Sequence, residues 1–152
     1  MLKYIFSFYK AKLMFDFKHK ICMRNRSAFI KRHDGFTNET SLIIKSPIPH
    51  NKISYITFLH ELGHLIDMGE GDLEHSDFNE SHGKVYNREI TAWKYAWNMN
   101  EYVSKDEFLE YARYCLSTYL RSMVSDINCS CYLIRFELQY DELVDYVKEN
   151  RS

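Results

Sequence analysis

Residues 57 to 66 read Thr57-Phe58-Leu59-His60-Glu61-Leu62-Gly63-His64-Leu65-Ile66, and reading this stretch as a helix decides how the rest of the chain is arranged. Ile53, Ile56, Leu59, Leu62 and Ile66 recur at helical spacing, which predicts a stripe facing a core. Pro47 and Pro49 stop whatever precedes, Asn51 or Ser54 can cap the helix, and Gly69 marks its end. His60 and His64 fall on one face of this helix, flanking the stripe.

Two imidazoles at this spacing can reach one metal ion, with Glu61 projecting beside them towards a water on that ion. Neutral imidazole suits zinc. A catalytic zinc uses three protein ligands and keeps a fourth position for water, whose pKa falls to roughly 7. A carboxylate beside that water, and not on the metal, can take its proton and return it to a leaving amine. Glu61 has that place, and the pattern is the zincin arrangement. The same pentapeptide also fits an ordinary amphipathic helix whose histidines bind nothing.

A third ligand must come from elsewhere, and Glu89 is the best candidate. It sits near the start of a helix predicted to run to about Asn100, with Ala92 and Ala96 following on its face. Small residues there, and Gly63 opposite, let two helices approach closely, although glycine costs about 1 kcal/mol of helix propensity. Asp67 shares the face of His60 and His64 and is an alternative ligand or outer partner. His75 and His82, in the polar segment from Gly69 to Gly83, are further alternatives. The metzincin spacing needs Gly at 67 and His at 70, where Asp67 and Glu70 stand. Tyr86, His82 and Tyr95 are candidates to stabilise an oxyanion, each with a plain structural role as the competing reading.

The first third of the chain reads as strands. Leu13, Phe15 and Phe17 alternate with Lys12, Met14, Asp16 and Lys18, Ile21 to Arg24 and Ala28 to Lys31 are short and apolar with charged flanks, and Asp34-Gly35 is a turn signal. Thr40 to Lys45 is the next strand, and the whole predicts a small antiparallel meander. This last strand, directly before the histidine helix, is the edge on which an extended substrate would pair. Residues 69 to 84 read as a loop. Tyr86, Ile90, Trp93 and Trp97 form an aromatic stripe read as core. Lys105 to Met123 is a helix started by Ser104 with Glu107 at N3, facing inward through Phe108, Ala112, Cys115 and Tyr119. Tyr132 to Leu138 alternates like a strand, whereas Asp141 to Asn150 reads as a helix. The expected fold class is α+β: a small N-terminal antiparallel sheet, the histidine helix, the Glu89 helix and C-terminal helices.

The 152 residues, 45% hydrophobic, fit one domain spanning 1–152. Twenty basic against twenty-one acidic residues leave a net charge of -1, so no field draws in nucleic acid and none is expected as a partner. The basic stretch Lys18 to Arg32 is read as a solvated sheet face. Cys22, Cys115, Cys129 and Cys131 show no metal-type pairing and are expected as free thiols. The N-terminal apolar run is broken by Lys3, Lys10 and Lys12, and no stretch approaches the ~20 residues of a membrane span. A cytoplasmic location without membrane attachment is expected.

Ser41-Leu42-Ile43-Ile44, then Thr57 to Ile66, then Arg88-Glu89-Ile90-Thr91-Ala92-Trp93-Lys94-Tyr95-Ala96 resembles the ImmA/IrrE family of small zinc metallopeptidases over roughly residues 40 to 98. The chain departs from that family in its longer segment between His64 and Glu89 and in a C-terminal third without a counterpart. The resemblance implies zinc held by His60, His64 and Glu89, Glu61 as general base, and a protein substrate of the helix-turn-helix repressor kind. The expected activity is therefore zinc-dependent endopeptidase action, a hydrolase reaction. The alternative is a catalytically silent zinc protein on the same scaffold that binds a regulatory partner without cleaving it.

Overall fold

The computed structural model describes residues 1–15, 19–23, 28–34, 39–46, 48–70, 82–124 and 130–150, and their side chains over 1–11, 48–67, 87–118 and 136–150. The elements in order are α1 (Leu2–Phe15), β1 (His19–Met23), β2 (Ala28–Asp34), β3 (Glu39–Ser46), α2 (Lys52–Glu70), α3 (His82–Asn98), α4 (Lys105–Val124) and α5 (Ser130–Glu149).

This corrects the expected α+β architecture. The chain opens with a helix, and every residue whose side chain is described lies in one of the five helices or in a short connection. The described core is helix on helix. The three short strands are not the antiparallel meander expected either: their order is β1-β3-β2, with β1 parallel and β2 antiparallel to β3. β3 is thus paired on both sides, which removes the substrate-pairing edge expected at Thr40 to Lys45.

Helix α1 holds most of the sequence read as the first strand, through Leu13 and Phe15. Tyr4, Phe8 and Ala11 recur at helical spacing and are buried, while Leu2, Phe6 and Tyr9 stay exposed on the other side. With apolar residues on both faces, alternation and helical period fit this stretch equally, and burial decides for the helix. Tyr4 meets Tyr55 at 4.9 Å between ring centroids and Phe8 meets Phe58 at 5.1 Å, which docks α1 onto α2.

α2 starts as the sequence indicates. Asn51 Oδ1 accepts the Ser54 N–H at 2.8 Å, while Ser54 Oγ accepts the Asn51 N–H at 3.1 Å, a reciprocal cap that satisfies donors the first turn leaves open. Ile56, Leu59 and Leu62 are buried as expected, but Ile53 is exposed, and Tyr55, Phe58 and Leu65 complete the core instead. Rings at 55 and 58 reach further than the aliphatic stripe, so the buried face is wider than that stripe and rotated from it.

α3 begins earlier than expected, so Glu89 lies in its second turn. Ile90, Trp93 and Trp97 of the expected aromatic stripe are buried as read, with Ala96 beside them, and the side chain of Tyr86 lies outside the described residues. α4 carries the Ser104 cap, with Glu107 N–H on Ser104 Oγ at 3.4 Å and the Ser104 N–H on Glu107 Oε2 at 3.4 Å. α5 continues without a break through residues 132–138, where a strand was one of two readings. It is tied to α4 by Arg113 on Glu137, at 3.1 and 3.3 Å, and to α3 by Asn98 on Tyr146 at 2.8 Å.

Among the described residues no helix is long and apolar enough to cross a membrane. Cys115 is a free thiol. The other cysteine side chains, those of the basic stretch from Lys18 to Arg32, and the segment with His75 lie outside the described residues.

Candidate metal centre

α2 and α3 pack side by side, and the closeness of their contact places the site. A Cβ on Gly63 would meet the Ala92 carbonyl oxygen at 2.1 Å and its carbonyl carbon at 2.8 Å, so only glycine fits. Ala92, fully buried, presents a small side chain from the other helix. With the backbones this close, Glu89, three residues before Ala92, reaches the His60 and His64 face of α2.

His60 Nε2 lies 3.1 Å from Glu89 Oε2. His64 Nε2 lies 3.4 Å from Glu89 Oε1. The two Nε2 atoms are 3.1 Å apart. Bonds of ~2.0–2.1 Å to a tetrahedral zinc leave ligand atoms ~3.3 Å apart, close to these contacts, which use both Glu89 oxygens. Glu89 Oε2 is also buried, and among the described residues it has no aligned hydrogen bond. A buried carboxylate oxygen left in this way needs a cation or a donor. The three residues therefore lie close enough to hold a metal ion, and their donors fit one.

His60 is 8% exposed and Glu89 6%. Burial dominates the His60 ring and pulls its pKa down, against the pull of Glu89 in the other direction. For His64 burial is again the largest single influence and pulls the same way, but its hydrogen bond to Glu89, with the charges of Glu89, Glu61 and Asp67, outweighs it and the pKa rises. Glu89 is resisted by burial, yet its two imidazole partners win and hold it down at about 2. The carboxylate is thus ionised at any working pH, as a ligand must be.

Glu61 behaves in the opposite way. Burial pushes its carboxyl up to about 7, with the negative charge of Glu89 adding to the effect and His64 opposing it. It is not one of the converging ligand atoms, and it stands next to them on α2. One turn back on the same face, Thr57 shares a hydrogen bond of 2.8 Å with the Tyr111 hydroxyl of α4. Cys115, one turn further along α4, has its thiol pushed up by burial and further by the charges of Glu89 and Glu61.

The structure brings His60, His64, Glu89 and Glu61 together as the sequence anticipates. Asp67 is not one of the three converging residues, and its charge helps to raise the His64 pKa. The His75, His82 and Tyr86 side chains lie outside the described residues, and Tyr95 is half-buried on α3. Sequence reasoning missed Tyr111, whose position beside Phe108 on the buried side of α4 was the available signal. It also missed the stacking of Trp93 on His60 at 4.2 Å. No family model, curated protein or solved structure matches this chain.

Proposed function

We propose that this chain is a zinc-dependent metallopeptidase that hydrolyses peptide bonds of a protein substrate, with His60, His64 and Glu89 as the metal ligands and Glu61 as the general base. The observation that carries the reading is the convergence of the His60 and His64 Nε2 atoms on the Glu89 carboxylate, with contacts of 3.1, 3.1 and 3.4 Å and a fourth ionisable group beside them. Two imidazoles and one carboxylate are the donor set of catalytic zinc in thermolysin-type sites.

When held by His60, His64 and Glu89, zinc would supply Lewis acidity for a carbonyl and lower the pKa of a water to roughly 7. Glu61 takes the proton at its carboxylate. A buried carboxyl near pH 7 is matched to accept that proton at neutral pH and to deliver it to the leaving amine. Glu89 stays ionised throughout. The likeness of the α2 and α3 motifs to ImmA/IrrE peptidases favours a regulatory protein as substrate, of the helix-turn-helix repressor type.

The test is cleavage of a complex peptide mixture and of helix-turn-helix repressors by zinc-loaded protein, read by mass spectrometry, for wild type and Glu61→Gln. Cleavage by wild type alone, with equal zinc in both, supports the peptidase. Turnover that survives Glu61→Gln overturns the assigned base, and zinc binding with no cleavage in any substrate favours the non-cleaving regulatory protein.

A further inference from the structure

His60 is buried, and its Nδ1, the ring nitrogen that does not face Glu89, meets no hydrogen-bond partner among the described residues. Histidines that bind metal ordinarily donate this second N–H to a carboxylate, a carbonyl or a water, and that bond fixes both tautomer and ring plane. Here the ring has a different support. The Trp93 indole lies against it at 4.2 Å between centroids and 21° between planes. Trp93 is itself fully buried and braced edge-on by Phe108 at 5.6 Å and Tyr111 at 6.3 Å. Its Nε1 has no hydrogen-bond partner among the described residues, so packing holds the indole in place.

We propose that Trp93 is a positioning residue for the metal ligand His60, its indole face setting the ring plane that a hydrogen bond to Nδ1 sets at other histidine sites. The inference rests on the metal reading of the triad. Turning the imidazole about its Cβ–Cγ bond would drive a ring edge into the indole, so the orientation Trp93 permits is the one that aims Nε2 at Glu89. Trp93 stands one turn after Glu89 on α3, and one helix therefore supplies both the third ligand and the support for the first. With no acceptor for Nδ1 among the described residues, His60 gains no basicity from them, and zinc affinity depends on this stacking.

The experiment compares zinc affinity, by competition with a chromophoric chelator, in wild type, Trp93→Phe and Trp93→Leu, with the stability of each metal-free protein followed by denaturant. Phe keeps an aromatic face and Leu does not. Zinc affinity within a few-fold of wild type for Trp93→Phe and a loss of about 10–100-fold for Trp93→Leu, the range for losing an outer partner of a ligand, is expected. Equal affinities in two folded variants overturn the positioning role and leave the metal site standing. Failure of wild type to bind zinc overturns the metal reading and this inference with it. Wild-type NMR gives an arm that needs no variant: the His60 ring protons should stand upfield of their random-coil position in metal-free protein, shielded by the indole, and unshielded protons would refute the stacking.

Discussion

Gly63 faces Ala92 at a distance where a single added methyl group would overlap the Ala92 carbonyl oxygen at 2.1 Å. The obstacle is backbone, not a flexible side chain, so α3 must move for any larger residue to fit. Gly63→Ala is expected to separate the two helices enough to open the ligand triangle. Helix propensity alone would favour alanine by about 1 kcal/mol, so a net loss of stability is the signature of the clash. Thermal unfolding and zinc titration of the variant check it; unchanged zinc affinity would show that the spacing is not critical.

Metal content comes next. Wild type purified without chelator is expected to carry one zinc per chain, and Glu89→Ala to lose more affinity than the ~10–100-fold that removal of an outer partner costs. Elemental analysis of both proteins decides. Retained metal in Glu89→Ala would move the third ligand to Asp67, His75 or His82.

The pH dependence of the metal-free protein follows from Glu61. Its carboxyl is raised to about 7 from an ordinary 4.5, so burial favours the protonated form. Its contribution is complete below about pH 4.5 and is lost as pH rises through about 7, amounting to about 3 kcal/mol. Denaturant unfolding of wild type and Glu61→Gln across this window should show wild type falling behind as pH rises. Glu89, held at about 2, acts with the other sign: its contribution is present above 4.5 and is lost as pH falls towards about 2. Parallel curves for the two proteins between pH 4.5 and 7 would contradict the burial of Glu61.

Asn51→Ala removes the side-chain acceptor that caps α2 at 2.8 Å. A loss of about 1 kcal/mol in unfolding free energy is expected, with zinc affinity preserved because the ligands lie more than two turns away.

The candidate site was legible because its chemistry is local. His60, Glu61 and His64 occupy adjacent turns of one helix, and helical spacing alone puts them together. Glu89 was legible for a different reason: the small residues after it marked a face that another helix could approach. The fold of the first third was less so. Leu13, Phe15 and Phe17 alternate within a stretch that also repeats at helical spacing through Tyr4, Phe8 and Ala11, and only docking against Tyr55 and Phe58 distinguishes the two. The exposure of Ile53 was hidden for a similar reason, since the bulk of Tyr55 and Phe58 determines which face turns inward. Pairing order was beyond the pattern altogether. That β3 lies between β1 and β2 depends on contacts between residues far apart in sequence, which periodicity does not encode.

With His60 and His64 on α2 and Glu89 on α3, a metal ion held by all three would have an affinity that gauges the gap between these helices. If the triad holds zinc as proposed, any partner that wedges the two helices apart, or any substitution that draws them together, would register as a change in zinc occupancy. Thermodynamic reciprocity makes the converse hold: the factor by which such a partner loosens zinc is the factor by which zinc repels the partner. On the proposed reading the pair of helices would link metal supply to any partner of this face, and a chelator titration performed with and without a binding protein would read that linkage directly.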